Sequence, residues 1–161
     1  MKPENVLITS YNQLYVTDIV SYKPTYVDSE NITCYNQCFG NLDNNKRCYM
    51  APERFWGENY NDSLKDYHRL ERSMDIFSAG CIIAEILMER TMFELATLKN
   101  YKRGTFNPKT ILDKHVQDPQ MVELIMKMID LDPSKRPSID PCLQMFDRDG
   151  SIPQSFSSCF F

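Results

Sequence analysis

The stretch Ser73-Met74-Asp75-Ile76-Phe77-Ser78-Ala79-Gly80-Cys81-Ile82-Ile83-Ala84-Glu85 decides the fold, because its spacing predicts a helix from Ser73 to about Met88. Ser73 is the predicted N-cap, and Asp75 suits the positive end of the helix dipole. One face is apolar throughout and carries Met74, Phe77, Cys81, Ala84 and Met88. The other sides are also largely apolar, with Ile76, Ile82, Ile83, Ile86 and Leu87. Such a helix is expected to be surrounded by protein.

Three further helices are predicted after the central one. The first runs from Pro119 to Asp130, where apolar residues recur three and four positions apart. The second runs from Ser138 to Phe146, with a serine cap and a proline that the first turn tolerates. A brief helix is predicted from Phe93 to Lys99. This part of the chain should therefore form a helical body around one buried helix.

A short β-hairpin is predicted near the start of the chain. Val6-Leu7-Ile8 and Leu14-Tyr15-Val16 are β-type runs separated by a polar, turn-like stretch. The region from about Ser21 to Arg47 follows and lacks a regular apolar pattern. A loop of that length inside a compact domain is usually functional or mobile.

The composition excludes several classes of protein. The 161 residues suffice for one domain. The net charge is −4, and acidic and basic residues are interleaved without a basic patch, so nucleic-acid binding is not expected. None of the six cysteines forms a CxxC pair, which favours reduced thiols over a zinc site and makes Cys81 a small buried hydrophobe. The start has no signal segment or MGxxxS lipidation pattern, and no apolar run has membrane-spanning length.

Two short motifs flank the hairpin and resemble parts of a protein kinase active site. Lys2-Pro3-Glu4-Asn5 is similar to the second half of the kinase catalytic loop, and Asp18-Ile19-Val20 stands where kinases carry DFG. The resemblance implies that Lys2 approaches the transferred phosphate and that Asn5 and Asp18 hold Mg²⁺. Val20 replaces a glycine, so a conformation with positive φ is disfavoured there. Taken alone, Asp18 is also compatible with a loop-capping carboxylate.

Two further motifs resemble structural parts of the same fold. Ala51-Pro52-Glu53 is similar to the APE end of the kinase activation segment, and Asp132-Pro133-Ser134-Lys135-Arg136 is similar to the DPxxR signature. The resemblance implies a buried ion pair between Glu53 and Arg136 with a structural role. Asp75 matches the aspartate that accepts hydrogen bonds from the catalytic loop in kinases. Read alone, Asp75 is only a charge at the start of a helix.

Three longer runs, from Thr17 to Tyr26, from Arg47 to Phe55 and from Met74 to Glu85, carry a more specific pattern. They resemble one unusual kinase family, the regulatory, protein-kinase-like subunit of the class III phosphatidylinositol 3-kinase complex. The family resemblance implies a parent that contacts the lipid kinase catalytic subunit and its autophagy and sorting subunits. That parent would be cytoplasmic and peripheral on endosomal and autophagic membranes, which it would reach through a lipidated N-terminus not present here. The catalytic motifs of this family are degenerate. Lys46 fits that degeneracy, because it stands about where ordinary Ser/Thr kinases place a threonine.

The resemblance implies a mainly α fold, namely the C-terminal, large lobe of the protein kinase fold with a short β-hairpin at its start and the small lobe absent. Residues 1–149 would be a partial kinase domain with its activation segment at 18–53, and residues 150–161 a tail toward a helical-repeat region. Met1 falls just after the position of the catalytic aspartate. We therefore expect a partial gene product or a natural short isoform that is marginally stable and inactive alone.

Three functional hypotheses remain open at this stage. The parent is an ATP- and Mg-dependent Ser/Thr kinase, or a scaffold that regulates a lipid kinase, or an ordinary Ser/Thr kinase unrelated to lipid signalling. No cofactor is expected for the 161 residues by themselves, because the Gly-rich loop, the ATP-gripping lysine and the HxD motif do not occur in them.

Overall fold

The computed structural model describes residues 1–17, 24–28, 31–39, 47–56 and 71–142. Near its start, strands β1 (Val6–Ile8) and β2 (Leu14–Val16) pair in antiparallel fashion, with Val6 opposite Val16 and Ile8 opposite Leu14. The predicted hairpin is therefore confirmed. Its turn contains Asn12 at a φ of 59°, a left-handed conformation that asparagine tolerates better than most residues. Most apolar side chains of the hairpin are exposed, including Leu7 at 52% and Ile8 at 70%.

The central helix is α2 (Arg72–Met88), which confirms the predicted helix and shifts its start. Ser73 is not the N-cap: Glu71 precedes the helix without a side-chain cap bond, and the buried Ser73 hydroxyl has no hydrogen-bond partner among the described residues. The helix ends at Met88, and its C-cap Glu89 adopts a left-handed conformation with a φ of 54°.

Burial around α2 is uneven along its length. Met74, Phe77, Cys81, Ala84 and Met88 are all buried, as the periodicity predicted. Near the C-terminal end the prediction of a fully surrounded helix is wrong, because Ile86 is 70% exposed and Leu87 is 41% exposed. Apolar composition alone cannot tell which part of a helix is covered by its neighbours.

Within the described residues, α2 is followed by α3 (Leu95–Lys102), α4 (Lys109–His115) and α5 (Pro119–Met128). α5 confirms the predicted helix and ends two residues before the predicted Asp130. Its N-cap is Asp118, whose carboxylate accepts hydrogen bonds from the backbone N–H groups of Gln120 and Met121. The brief helix predicted at Phe93 to Lys99 forms two to three residues later, as α3. We did not predict α4, because a seven-residue helix offers too few turns for a periodic pattern.

α2 packs directly against α5 and α4. The contact with α5 is close at Gly80, where a Cβ atom would lie 2.8 Å from Met128 Cβ and 3.0 Å from Ile129 Cγ2. Met128 Cβ is fixed to the α5 backbone and cannot move aside by a rotamer change. Glycine is therefore required at this crossing by the distance between two helices.

Replacing Gly80 by alanine is expected to destabilise the protein. Overpacking costs about 1–3 kcal/mol, and the better helix propensity of alanine returns about 1 kcal/mol, so the net loss in the free energy of unfolding should be about 0–2 kcal/mol. Urea unfolding followed by circular dichroism measures this. Ala96→Gly, at an exposed position of α3, is the reverse control and should cost only about 1 kcal/mol through propensity. A stabilised Gly80→Ala variant would contradict the close packing.

The region from Ser21 to Arg47 contains regular structure that the sequence pattern did not predict. Strand β3 (Val27–Asp28) pairs in parallel with β4 (Phe55–Trp56), and α1 (Ile32–Phe39) follows β3. Threonine, asparagine and cysteine have weak helix propensity, which hides α1 from a propensity-based prediction. Tertiary contacts stabilise it, because Tyr35 is buried and stacks on Phe39 at a centroid distance of 6.0 Å.

Three proline-led 3-10 turns carry the motifs that identify the fold. They span Pro3–Asn5, Pro52–Arg54 and Pro133–Lys135. Proline suits the first position of such a turn, because its φ is already helical and its missing N–H would have no partner there.

The core is continuous from the segment around Tyr49 to α5, and an aromatic group lies within it. Phe93 stacks on Phe77 at 6.0 Å and on Tyr101 at 5.4 Å. Residues 139–142 are helical, in agreement with the start of the predicted Ser138–Phe146 helix, while the rest of that helix and the predicted tail at 150–161 lie outside the described residues. Among the described helices, none combines the length and apolarity needed to cross a bilayer.

Candidate functional site

The most strongly held side chain in the described structure is Arg136. Its Nη1 and Nη2 donate to the two carboxylate oxygens of Glu53 at 2.7 and 2.8 Å, a bidentate ion pair. Nη1 also donates to the carbonyl of Ser73 at 3.0 Å, and Nε donates to the carbonyl of Asp130 at 2.7 Å. The guanidinium lies 5.0 Å from the centre of the Phe77 ring. These contacts join the Pro52–Arg54 turn, the start of α2 and the loop after α5.

The Pro52–Arg54 turn has a second cationic partner in Lys102 at the end of α3. Its Nζ donates to the carbonyls of Pro52 at 3.3 Å and Phe55 at 3.0 Å. Burial lowers the pKa of Lys102, and the charge of Glu53 opposes that shift. Ala51 and Pro52 are themselves buried. The turn is therefore held by side chains from two directions.

The Lys2–Asn5 motif lies beside the end of the hairpin. The Asn5 carboxamide nitrogen donates to the Thr17 carbonyl at 3.1 Å, and the Thr17 N–H donates to the Asn5 carbonyl at 2.7 Å. The carboxamide thus contacts the residue that precedes Asp18 in the sequence. Asp18 itself lies outside the described residues, together with Ile19, Val20 and Lys46. With its nitrogen oriented toward a carbonyl, Asn5 has an oxygen suited to a hard cation such as Mg²⁺.

Asp75 lies at the first turn of α2 and is exposed, with 71% of its side chain accessible. Its Oδ1 lies 3.9 Å from the Met1 amine. An exposed carboxylate retains its hydration, so Asp75 is not a buried charge that would be costly without hydrogen-bond donors.

A second cluster joins the segment after α1 to the central helix, and no motif of the sequence indicated it. Glu85 on α2 accepts a hydrogen bond from the Tyr49 hydroxyl at 2.5 Å and forms an ion pair with Arg47 at 3.2 Å. The side chain of Glu85 is only 15% exposed. The one signal in the sequence is a carboxylate within an otherwise apolar stretch of helix, since such a group needs a partner.

Stability should fall at alkaline pH because of two buried tyrosines. Burial raises the pKa of Tyr35 and Tyr49 above the ordinary value of 10.0, and the hydrogen bond to Glu85 raises that of Tyr49 further. Because the pKa is raised in the folded state, the contribution of each tyrosine to the free energy of unfolding is fully present below pH 10 and is lost as the pH rises. We expect the free energy of unfolding to fall above pH 10 by about 1.4 kcal/mol per pH unit for each tyrosine.

Urea unfolding between pH 8 and 11.5, with tyrosinate absorbance at 295 nm, measures this dependence. Tyr49→Phe removes one of the two groups and should reduce the slope, although it also removes the bond to Glu85. A free energy of unfolding that is constant up to pH 11.5 would contradict the burial of both phenols.

Comparison with known proteins agrees with the motifs. The family described as "Protein kinase domain" matches residues 1–146, so the chain belongs to the protein kinase family. The described structure is a mostly helical domain with a small antiparallel sheet.

Within this family the chain is VPS15-like. It is 40% identical over 147 residues to the serine/threonine-protein kinase VPS15 of Arabidopsis thaliana, and 39% identical over 151 residues to that of Saccharomyces cerevisiae. Each alignment covers 91% of this chain and 10% of the relative. A putative VPS15 kinase of Komagataella pastoris is 37% identical over 100% of the chain, which is 12% of the relative. The chain thus spans about a tenth of the length of these curated relatives.

Proposed function

We propose that the chain is part of a kinase-like regulatory subunit that scaffolds and regulates a class III phosphatidylinositol 3-kinase in endosomal sorting and autophagy. The observation that carries this proposal is the similarity to VPS15 proteins at 36–40% identity over 84–100% of the chain. The expected partners are the lipid kinase catalytic subunit and its associated sorting and autophagy subunits. On this proposal the parent acts at the surface of endosomal and autophagic membranes.

We further assign the chain to the large lobe of the kinase fold. The helical body around α2 supports this assignment, and so does the hairpin with its exposed Leu7, Ile8 and Leu14. Exposed apolar groups on adjacent positions favour a covering partner. In the proposed arrangement the small lobe and the nucleotide cover this hairpin. Residues 1–149 would then belong to the kinase domain, with the activation segment at 18–53, and residues 150–161 would lead toward a helical-repeat region.

The kinase family implies ATP and Mg²⁺ for the intact protein. In the proposed site Asn5 and Asp18 hold the metal, and Lys2 approaches the transferred phosphate. Bound Mg²⁺ would neutralise charge on the phosphate oxygens. The hydrogen bond from Asn5 to Thr17 supports this assignment, because it holds the carboxamide at the residue that precedes Asp18 in the sequence. Two protein oxygens suffice only if water and phosphate complete the coordination sphere.

The scaffold role is favoured over phosphoryl transfer by two substitutions. Ile19 and Val20 replace the phenylalanine and glycine of DFG, and a β-branched residue disfavours the backbone conformations that glycine reaches. The proposed structural roles of Glu53 and Arg136 are independent of catalysis. They hold together a domain that partners can recognise.

The alternative is an ordinary Ser/Thr kinase unrelated to lipid signalling. A relative without VPS15 in its name, the serine/threonine-protein kinase Nek8 of Danio rerio, is 34% identical over only 58% of the chain. The VPS15 proteins match a much larger share, which favours the regulatory subunit.

Affinity purification of the full-length parent tests the proposal. The purified material is incubated with phosphatidylinositol vesicles and ATP, and phosphatidylinositol 3-phosphate is measured. We expect a lipid kinase to co-purify and to make this product. A parent that purifies without lipid kinase activity but phosphorylates Ser/Thr peptides would support the alternative.

A further inference from the structure

Arg54 makes contacts that no motif of the sequence predicts. It follows Glu53 in the Pro52–Arg54 turn, but its side chain reaches a distant part of the chain. Its Nε donates to the carbonyl of Thr25 at 2.6 Å, and its Nη2 donates to the carbonyl of Pro24 at 3.1 Å. The guanidinium also lies 5.3 Å from the centre of the Phe39 ring on α1. One side chain therefore joins residues 24 and 25 and the Phe39 ring to the Pro52–Arg54 turn, three described parts of the segment from residue 24 to residue 55.

Strand pairing joins the same two ends. Val27 lies opposite Phe55 in the parallel β3–β4 pair, and both side chains are buried, at 1% and 7% exposure. Tyr35 on α1 packs on Phe55 at a centroid distance of 5.8 Å and donates its hydroxyl hydrogen to the Arg47 carbonyl at 3.2 Å. A two-residue strand pair is too short to be stable alone. Its persistence requires the neighbouring contacts, and Arg54 supplies the adjacent hydrogen bonds.

Arginine has the chemistry that this position needs. Its planar guanidinium directs several N–H donors along fixed lines and presents a flat face to an aromatic ring. Lysine has a single nitrogen and no such face, so it cannot bond two carbonyls and stack on Phe39 in the same geometry. Burial lowers the pKa of Arg54, in keeping with a cation that is withdrawn from water between these groups.

We propose that Arg54 is a clasp that holds the described parts of this segment, residues 24–28, 31–39 and 52–56, together without a phosphorylated side chain. Its acceptors are backbone carbonyls, which are present whatever the modification state of the chain. Closure therefore requires no added phosphate to pair with the arginine. The clasp concerns the conformation of the segment alone and holds whether or not the parent transfers phosphate.

Hydrogen exchange followed by mass spectrometry on the 161-residue chain tests the clasp. The chain is treated with phosphatase, and its mass confirms that no phosphate remains. We expect protected amides in peptides covering residues 24–28, 31–39 and 52–56. In Arg54→Lys, exchange in these peptides should be faster by about tenfold or more, while peptides from α2 and α5 keep their protection. Arg103→Lys, at the exposed end of α3, is the matched control and should leave all rates unchanged.

Two results would overturn the proposal: no protection of these peptides in the phosphate-free wild-type chain, or unchanged exchange in Arg54→Lys. If Arg54→Lys also unfolds α2 and α5, Phe39→Leu decides, because it keeps the arginine and removes the ring that Arg54 and Tyr35 contact; the effect through Arg54 is measured at residues 24–28, outside the helix that carries Tyr35. The clasp predicts faster exchange at residues 24–28 in that variant. Unchanged exchange there would contradict it.

Discussion

Replacing Glu53 by alanine is expected to lower the free energy of unfolding by about 3–5 kcal/mol, because it leaves the Arg136 guanidinium buried without its counter-ion. The Arg136 side chain is 0% exposed, so water cannot take the place of the carboxylate. Arg136 would keep its bonds to the Ser73 and Asp130 carbonyls, which are neutral acceptors. Since the whole stability of a domain is about 5–15 kcal/mol, the loss should be large in urea unfolding followed by circular dichroism.

Replacing Arg136 by methionine should lower the free energy of unfolding by less than Glu53→Ala does. In Arg136→Met the Glu53 side chain, which is 21% exposed, can regain part of its hydration. The double variant Glu53→Ala/Arg136→Met contains neither charge and should be more stable than the sum of the two single losses predicts. Glu123→Ala, which breaks the exposed pair with Lys127, is the control and should leave the unfolding midpoint unchanged. Additive losses would show that the two side chains do not act as a pair.

Replacing Phe77 by alanine is the second change with a large expected effect, about 3–5 kcal/mol. Phe77 is fully buried on α2, stacks on Phe93 and lies beneath the Arg136 guanidinium. The substitution leaves a cavity between the central helix and the aromatic group. It also removes the ring on which Arg136 lies. Thermal and urea unfolding of the purified variant measure the loss.

Ile86→Ala is the matched control on the same helix. Ile86 is 70% exposed, so removing most of its side chain should change the free energy of unfolding by about 0.5 kcal/mol or less. A loss comparable to that of Phe77→Ala would mean that the C-terminal end of α2 is covered. The comparison therefore tests the uneven burial of the central helix directly.

The sequence predicted those elements whose pattern is long and regular. α2 and α5 each extend over several turns, and the hairpin has two β-type runs around a polar turn. The prediction that Ser73 caps α2 was wrong, because a serine near the start of a helix looks like an N-cap even when the helix begins before it. The exposure of Ile86 and Leu87 depends on what surrounds the helix, which periodicity does not encode.

Within the candidate site, the family motifs implied the pairing of Glu53 with Arg136, but no motif indicated the other contacts between distant segments. Arg54 contacts Thr25 and Phe39, and Glu85 contacts Arg47 and Tyr49, all through pairings between separate segments. Helix α1 was missed because its propensity is weak and its stability comes from the packing of Tyr35 and Phe39. Long-range contacts of this kind have no signature in a single sequence.

The central claim is that this kinase-family domain serves a lipid kinase as a scaffold. The most direct test is the amount of phosphatidylinositol 3-phosphate made by the affinity-purified full-length parent carrying Asp18→Ala or Glu53→Ala. We expect Asp18→Ala, which removes a proposed metal ligand, to retain the co-purifying lipid kinase and its product. Glu53→Ala should lose both, because the domain that the partners recognise is destabilised. An Asp18→Ala parent that retains the lipid kinase but makes no product would contradict the scaffold role.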